Sequence, residues 1–432
     1  MPLFGRAKTE AVPPSPIASP GPTRLPDAPT VDDAGRRSVL AHREYLLSQV
    51  SSLRPFGIGL LDAAGLTLCE SISSDLDLPV YTSPRVAGWA VRGSNLVGAS
   101  AHRPVILPVV GEIDAGGYRG APLMPGTAVK VAAGAPVPEG ADAVVPLGKG
   151  VEVGDGVEFR SEVSFNQNLI VAGSRVADGD FLLAPGAVLN ARSIALLAEV
   201  GHDKVLARPR PRVVVATVGN DLVDPGLPLE RLSQSYDALT SLVAASAGQD
   251  GAKVFPIGIV PAEADTLRRT ISEQLLRADL VLVAGAADGL LAEVLGSLGA
   301  IDEAEVAMNP GGSSLFALIG DERTPVLVLP ADPLGALVAY HAFARPLIRQ
   351  LAGLSPLDVP ARLAPVVRPL ACDPTATSFL LAASGARGVD PFPDTDRRGA
   401  IQIARADCLI VLQPGAQRIE AHSDVVCWLL GP

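Results

Sequence analysis

Asp279-Leu-Val-Leu-Val-Ala-Gly-Ala-Ala-Asp288 and Pro325-Val-Leu-Val-Leu-Pro-Ala-Asp332-Pro333 decide the fold. Each is an unbroken aliphatic run that gives way at once to Gly, Ala, Pro and Asp. A run of this length without alternation suits a strand covered on both faces, as in a parallel sheet. Val213-Val-Val-Ala is a third such run, and 254–260 a fourth strand. Helical patterns fill the intervals, at 237–247, 262–276 and 290–298. A long helix at 334–351 follows the last strand and is closed by Gly353. Strands alternating with helices predict a parallel sheet covered on both faces, joined by right-handed crossovers. An open sheet of this kind places its ligand beyond the carboxyl ends of the strands. In both quoted stretches those ends are poor in charge.

Working outward, Ser38 is placed to cap a helix whose apolar face is Val39, Leu46, Leu47, Val50 and Leu53, ended by Pro55 and Gly57. A second short helix is expected over 61–71. Residues 76–165 are dense in Val, Gly and Pro, with short runs at Val105-Ile-Leu-Pro-Val-Val and Ala128-Val-Lys-Val, and read as a β-rich lobe. A helix over 192–200 returns toward the first segment. Beyond Pro356, four runs read as strands of a small β domain: 379–382, 400–404, 408–412 and 425–430. Residues 1–35, rich in Pro, Ala, Ser and Thr, bury too little apolar surface to offset ordering entropy and read as a disordered tail.

Composition limits the function classes. The chain has 432 residues, 48% of them hydrophobic and only 4% aromatic, so its cores are aliphatic. A net charge of −11 argues against a general nucleic-acid surface, which needs a basic face. Four cysteines without CxxC spacing suit a reducing cytoplasm rather than a disulfide framework. No apolar stretch is long enough to predict a membrane span. The five scattered histidines suggest no triad or metal cage.

Several segments, in order, resemble the MoeA/gephyrin E-domain family, the molybdopterin molybdotransferases. They are Asp77-Leu-Pro-Val-Tyr-Thr-Ser-Pro-Arg-Val-Ala-Gly-Trp-Ala-Val-Arg92, Gly111-Glu-Ile-Asp-Ala-Gly116, Ala133-Gly-Ala-Pro-Val-Pro-Glu-Gly-Ala-Asp-Ala-Val-Val145, Arg210-Pro-Arg-Val-Val-Val-Ala-Thr-Val-Gly-Asn-Asp-Leu222 and Leu329-Pro-Ala-Asp-Pro333. The resemblance implies a multidomain α/β plus β fold. Its parts are the tail at 1–35, a helical/β connecting domain at 36–75 and 166–209, a β-rich lobe at 76–165, a MogA-like parallel α/β domain at 210–355, and a small C-terminal β barrel at 356–432. It also implies a cytoplasmic homodimer with a site shared between subunits. The reaction implied is Mg²⁺-dependent insertion of molybdate into adenylylated molybdopterin, with release of AMP.

The site residues depart from the family pattern. Asp-Gly-Tyr-Ala is Ala87-Gly88-Trp89-Ala90, and Gly-Glu-Asp is Gly173-Ser174-Arg175. Thr-Gly-Asp-Glu-Leu is Val218-Gly219-Asn220-Asp221-Leu222, and Asp-Ser-Asn is Gln234-Ser235-Tyr236. The Gly-rich loop is Ala284-Gly285-Ala286-Ala287-Asp288-Gly289-Leu290-Leu291. Pro-Gly-Lys-Pro is Pro310-Gly311-Gly312-Ser313, preceded by Asn309 in place of Lys, and Leu-Pro-Gly-Asn-Pro is Leu329-Pro330-Ala331-Asp332-Pro333. By family position, Asp221, Asp288 and Asp332 are the candidate catalytic carboxylates, with Asp221 and Asp288 as Mg²⁺ ligands. Gly219, Ser235, Gly285, Pro310, Gly311, Pro330 and Pro333 are the candidate cofactor-binding positions. The bland roles are helix caps for the Asp residues and Ser235, a surface ion pair of Arg175 with Asp178 or Asp180, and core packing for Trp89. Acids for the cation and lysines for phosphate are both thinned, so transferase activity is expected to be reduced or lost. The alternative is a non-catalytic, gephyrin-like dimeric scaffold for protein partners such as receptor or cytoskeletal tails.

Overall fold

The computed structural model describes residues 25–116, 121–285, 289–393, 399–415 and 418–431. The described residues form two compact units, one from 25–55 with 208–431 and one from 56–207.

The larger unit is built on a six-stranded sheet. Its order is Lys253–Val260, Arg212–Val218, Leu280–Gly285, Thr324–Leu329, Ser313–Ile319 and Gly299–Glu305. The first four strands are parallel, as the apolar runs predict. The last two were not expected: Ser313–Ile319 joins Thr324–Leu329 antiparallel and Gly299–Glu305 joins it antiparallel in turn, so the sheet is mixed. Gly-Ala-Ile-Asp-Glu-Ala-Glu has no apolar run to signal a strand, and its backbone is fixed by the partner across the ladder.

The lack of alternation in the parallel strands has a direct cause. Val213, Val215, Leu280 and Leu282 enter one core, while Val214, Ala216, Val281 and Val283 enter the other. The first core is closed by the helices Val39–Ser48 and Leu239–Gln249 and by the long helix. The second is closed by Ala264–Leu275 and Leu290–Leu298. The long helix runs from Pro333 to Leu351 with a π turn at Tyr340–Ala344 and is buried around its circumference, which matches its apolar sequence. The expected cap holds: Ser38 Oγ accepts from the Ala41 N–H at 3.1 Å. Most of the Pro-rich segment lies outside the described residues. At the start of the described chain Leu25 packs against the core, and the Tyr45 hydroxyl donates to the Pro26 carbonyl at 3.2 Å, while most of 26–35 is exposed.

The same unit carries a second sheet, of Met308–Asn309, Thr377–Gly385, Cys408–Leu412, Asp424–Leu429 and Ala361–Pro365, with Gly388–Pro391 beside Thr377–Gly385. The strand expected over 400–404 is a helix, Gly399–Arg405. Its alternation misleads because the residue turned inward is Gln402, whose amide donates to the Pro393 carbonyl, while Ile401 is exposed.

The smaller unit has a six-stranded sheet ordered Ala143–Pro146, Gly88–Val91, Ala128–Val131, Val105–Ile113, Gly156–Phe159 and Gly150–Val153. Trp89 packs in its core at 3% exposure. The helix expected over 61–71 is instead a series of turns. Gly65 has φ +80°, and the N–H groups of Gly65 and Leu68 donate to Leu189 and Ala187 rather than up a helix. Helix Ala191–Glu199 is present with a capping box between Asn190 and Ser193. Arg175 pairs with Glu199 at 2.6 Å, not with Asp178 or Asp180.

Candidate functional site

The carboxyl ends of Arg212–Val218, Leu280–Gly285 and Thr324–Leu329 lie side by side, because Val218 pairs with Gly285 and Ala284 with Leu329. Gly285 is there of necessity. Its φ is +131°, and an added Cβ would collide with the Val218 carbonyl and come within 2.9 Å of the Val218 nitrogen. Gly285→Ala is therefore expected to destabilise the unit by at least about 2 kcal/mol, read as a lower urea midpoint at unchanged slope. An unchanged midpoint would refute this packing.

Each candidate residue can now be placed. Gly219 donates its N–H to the Val260 carbonyl at 3.1 Å and is overlaid by Leu222. Asn220 ties the loop down, its Oδ1 accepting from the Ala262 N–H at 2.9 Å. Asp221 is half-exposed; it accepts from Ser233 Oγ at 3.1 Å and faces Arg231 at 3.5 Å. Asp221 therefore caps no helix. Neither does Ser235, which lies in the short strand pair Leu222–Val223 with Ser235–Tyr236. The cap on that helix is Asp237, buried, whose Oδ1 accepts from Leu239 and Thr240 at 3.0 Å each.

Asp332 does cap: its Oδ1 accepts from the Gly335 N–H at 2.6 Å, with Pro333 opening the helix and Pro330 against Gly335. Gly311, at φ +86°, approaches the Gly335 backbone, where an added Cβ would lie 3.0 Å from the Gly335 carbonyl oxygen. Pro310 follows Asn309 in the link that returns from the second sheet to the first. Gly312 has a comparable constraint: a Cβ there would lie 2.8 Å from the Val306 carbonyl oxygen. Asp288 lies outside the described residues.

A cavity of 470 Å³ opens at these strand ends. Of the sequence candidates it takes in Gly285, but not Asp221, Asp332, Pro310 or Gly311. Among the described residues its charged lining is Glu303 and Glu305, and no described Lys, Arg or His contributes. Sequence reading passed over both glutamates because they sit on the unforeseen strand Gly299–Glu305. Their register places them opposite Leu315 and Ser313 on the face that looks into the cavity. The signal available was the acid-rich run Asp302-Glu303-Ala304-Glu305 just ahead of the Pro310-Gly311 loop. Among the described residues no three His, Cys, Asp or Glu side chains converge in a cation cage. The one described member of the proposed Mg²⁺ pair, Asp221, is turned toward a guanidinium. The described residues thus do not fit a resident magnesium ion.

Residues 37–201 match the MoeA N-terminal region (domain I and II), and residues 214–350 match a family described as a probable molybdopterin binding domain. Molybdopterin molybdenumtransferase 1 of Mycobacterium tuberculosis is 32% identical over 431 residues, covering 90% of this chain and 98% of the relative. Molybdopterin molybdenumtransferase 2 of the same organism is 30% identical, covering 74% and 80%. In fold, the chain is similar to the crystal structure of a molybdopterin biosynthesis MoeA protein from Pyrococcus horikosii, with a TM-score of 0.82 at 24% identity, covering 91% of this chain and 99% of that one. Strand runs, loop punctuation and near full-length similarity agree, and the chain belongs to the molybdopterin molybdenumtransferase family.

Proposed function

We propose that this chain takes a molybdopterin-class ligand at the carboxyl ends of its parallel strands, within the α/β region 210–355, and that its molybdate transferase activity is strongly reduced or lost. The observation carrying this reading is the cavity at Gly285, whose ionic lining among the described residues is two carboxylates and no cation. Adenylylated molybdopterin carries phosphates, and displacing its nucleotide builds up negative charge that needs positive groups or a metal. Glu303 and Glu305 supply no positive group and, where no cation is held between them, repel phosphate. The backbone parts of a binding site persist, in Gly285, Gly311 and the Asp332-capped turn. The same reading takes the chain as a cytoplasmic homodimer. Among the described residues no helix is long and apolar enough to cross a membrane.

The decisive experiment mixes purified chain with adenylylated molybdopterin, molybdate and Mg²⁺ and follows AMP. Release at the rate of a blank is expected; sustained turnover would overturn the reading. Asn309, exposed where the resemblance places a lysine, offers a gain-of-function arm. Asn309→Lys is expected to tighten binding of adenylylated molybdopterin by about 10- to 100-fold, one charge-assisted contact of about 1.5–3 kcal/mol. Equal affinity in a titration of both proteins would show that position 309, which does not line the Gly285 cavity, makes no phosphate contact. Gly312→Lys is a poorer choice, because its Cβ would press on the Val306 carbonyl.

One observation favours the scaffold as a second reading. The loop between Val223 and Ser235 exposes Leu227, Leu229 and Leu232, the last without any cover. An exposed apolar cluster beside the Asp221 turn suits a protein contact. Co-purification of a partner that is lost on Leu232→Ser would support it, and retention would remove this loop from the contact.

A further inference from the structure

We propose that the gap between strand Ala361–Pro365 and the hairpin tip at 385–388, in the second sheet of the larger unit, is a binding site for a phosphate group. Ala361–Pro365 is the outer strand of that sheet, with Asp424–Leu429 as its partner on one side. Just beyond it, Val366 bridges Val389 in parallel, and the Val367 N–H donates to the Val389 carbonyl at 2.9 Å. Gly388 lets the two segments close up there. Its φ is +125°, and an added Cβ would collide with the Pro365 carbonyl oxygen. Toward Arg362 and Arg387 the segments part, and a cavity of 340 Å³ opens between them.

This lining is basic in an acidic chain. The net charge is −11, yet among the described residues the charged lining of the cavity is Arg362 and Arg387, with no carboxylate. Their neighbour Arg368 is engaged by Asp390 at 2.6 Å, whereas neither Arg362 nor Arg387 forms an ion pair with a described residue. Arg362 Nη2 donates to Ser384 Oγ at 2.5 Å, which orients that guanidinium from the hairpin side. The backbone adds a donor. Leu429 donates to the Pro360 carbonyl and Val366 to the Ser423 carbonyl, and bonds to a partner strand alternate along an antiparallel ladder. Arg362 and Ala364 therefore turn their N–H groups to Asp424–Leu429, and Leu363 turns its N–H to the gap. Two guanidinium forks from two different segments, with one N–H between, call for more acceptor oxygens than a carboxylate has. A phosphate supplies them, and its charge answers the unpaired arginines.

Isothermal titration of the full-length chain with inorganic phosphate at low ionic strength tests this. One saturable site is expected, with a Kd of about 1 mM or tighter. Arg387→Gln is expected to weaken it by about tenfold, the loss of one charge-assisted contact, and Arg362→Gln with Arg387→Gln to abolish it. Arg387 is exposed and makes no ion pair, so its single variant keeps the fold and carries the test even where the double variant does not. Acetate is expected to bind at least about tenfold more weakly than phosphate, having one fork's worth of oxygens. Phenyl phosphate separates the two sources of the group: tighter binding than inorganic phosphate assigns the site to a phosphate ester, and equal binding to the free ion. Heat that does not saturate at tens of millimolar phosphate, or a titration unchanged by Arg387→Gln, would overturn the proposal. Both arginines lie outside 210–355, so this result and the AMP assay stand or fall separately.

Discussion

Asp302→Ala is expected to destabilise the larger unit by about 3–5 kcal/mol. Arg37 and Asp302 form a two-pronged ion pair, Nη1 to Oδ2 at 2.6 Å and Nη2 to Oδ1 at 2.7 Å. Their side chains are only 6% and 10% exposed. Removing the carboxylate leaves a buried guanidinium with little water and no counter-charge. That imbalance, rather than the worth of the pair itself, sets the size of the effect. The pair also lies at a structural junction. Arg37 donates its backbone N–H to the Glu305 carbonyl and its own carbonyl accepts from Ala307, so the segment entering the first helix is stitched to the end of the outermost strand. Loss of the pair is therefore expected to loosen the strand that carries Glu303 and Glu305. Urea unfolding of the purified variant measures the cost, and a change below about 1 kcal/mol would show that the pair is dispensable. Replacing both partners together, Arg37→Met with Asp302→Leu, is expected to cost much less, because no charge is left stranded.

Acid is expected to weaken the fold through His42 and His341. Burial is the main cause that pushes each down to about 4, from an ordinary value near 6.5. At His42 the Arg37 guanidinium adds to this and Asp302 opposes it; at His341 Arg345 adds to it. Arg37 Nη1 lies 3.3 Å from His42 Nδ1, and His42 Nε2 lies 3.0 Å from Ser314 Oγ. With the guanidinium donating to Nδ1, that nitrogen is the acceptor and Nε2 carries the proton. His341 Nδ1 is buried with no partner. Between pH 6.5 and pH 4 the unfolded chain binds a proton at each histidine that the folded chain refuses. The stabilisation present above pH 6.5 is thus lost as pH falls through this window, by about 3 kcal/mol per histidine at its lower end. Unfolding free energies measured at pH 7.5 and stepped down to pH 4.5 give the slope. His341→Leu is expected to remove close to half of it. A slope unaltered by that variant would mean that His341 protonates in place.

The site illustrates how legibility divides. The Asp332-Pro333 cap was readable, because it is satisfied by the N–H three residues on; Gly285 and Gly311 were marked by family position, and what requires glycine there is the Val218 carbonyl and the Gly335 backbone, far off in the sequence. Asp237 was missed as the true cap because Ser235, two residues earlier, fits the same local rule. Glu303 and Glu305 were missed because their facing depends on a partner strand that is close in sequence but not recognisable from composition.

By itself the sequence determined the parallel core of this protein: the unbroken apolar runs at 213–216, 280–283 and 326–329, and the helix at 290–298, hold because a strand buried on both faces leaves no freedom of pattern. Only tertiary structure decided the antiparallel addition at the sheet edge, the turns at 61–71, the helix at Gly399–Arg405 and the Arg37–Asp302 junction. In each of those the partner group comes from elsewhere in the chain, and a local pattern holds no information about what it will be packed against.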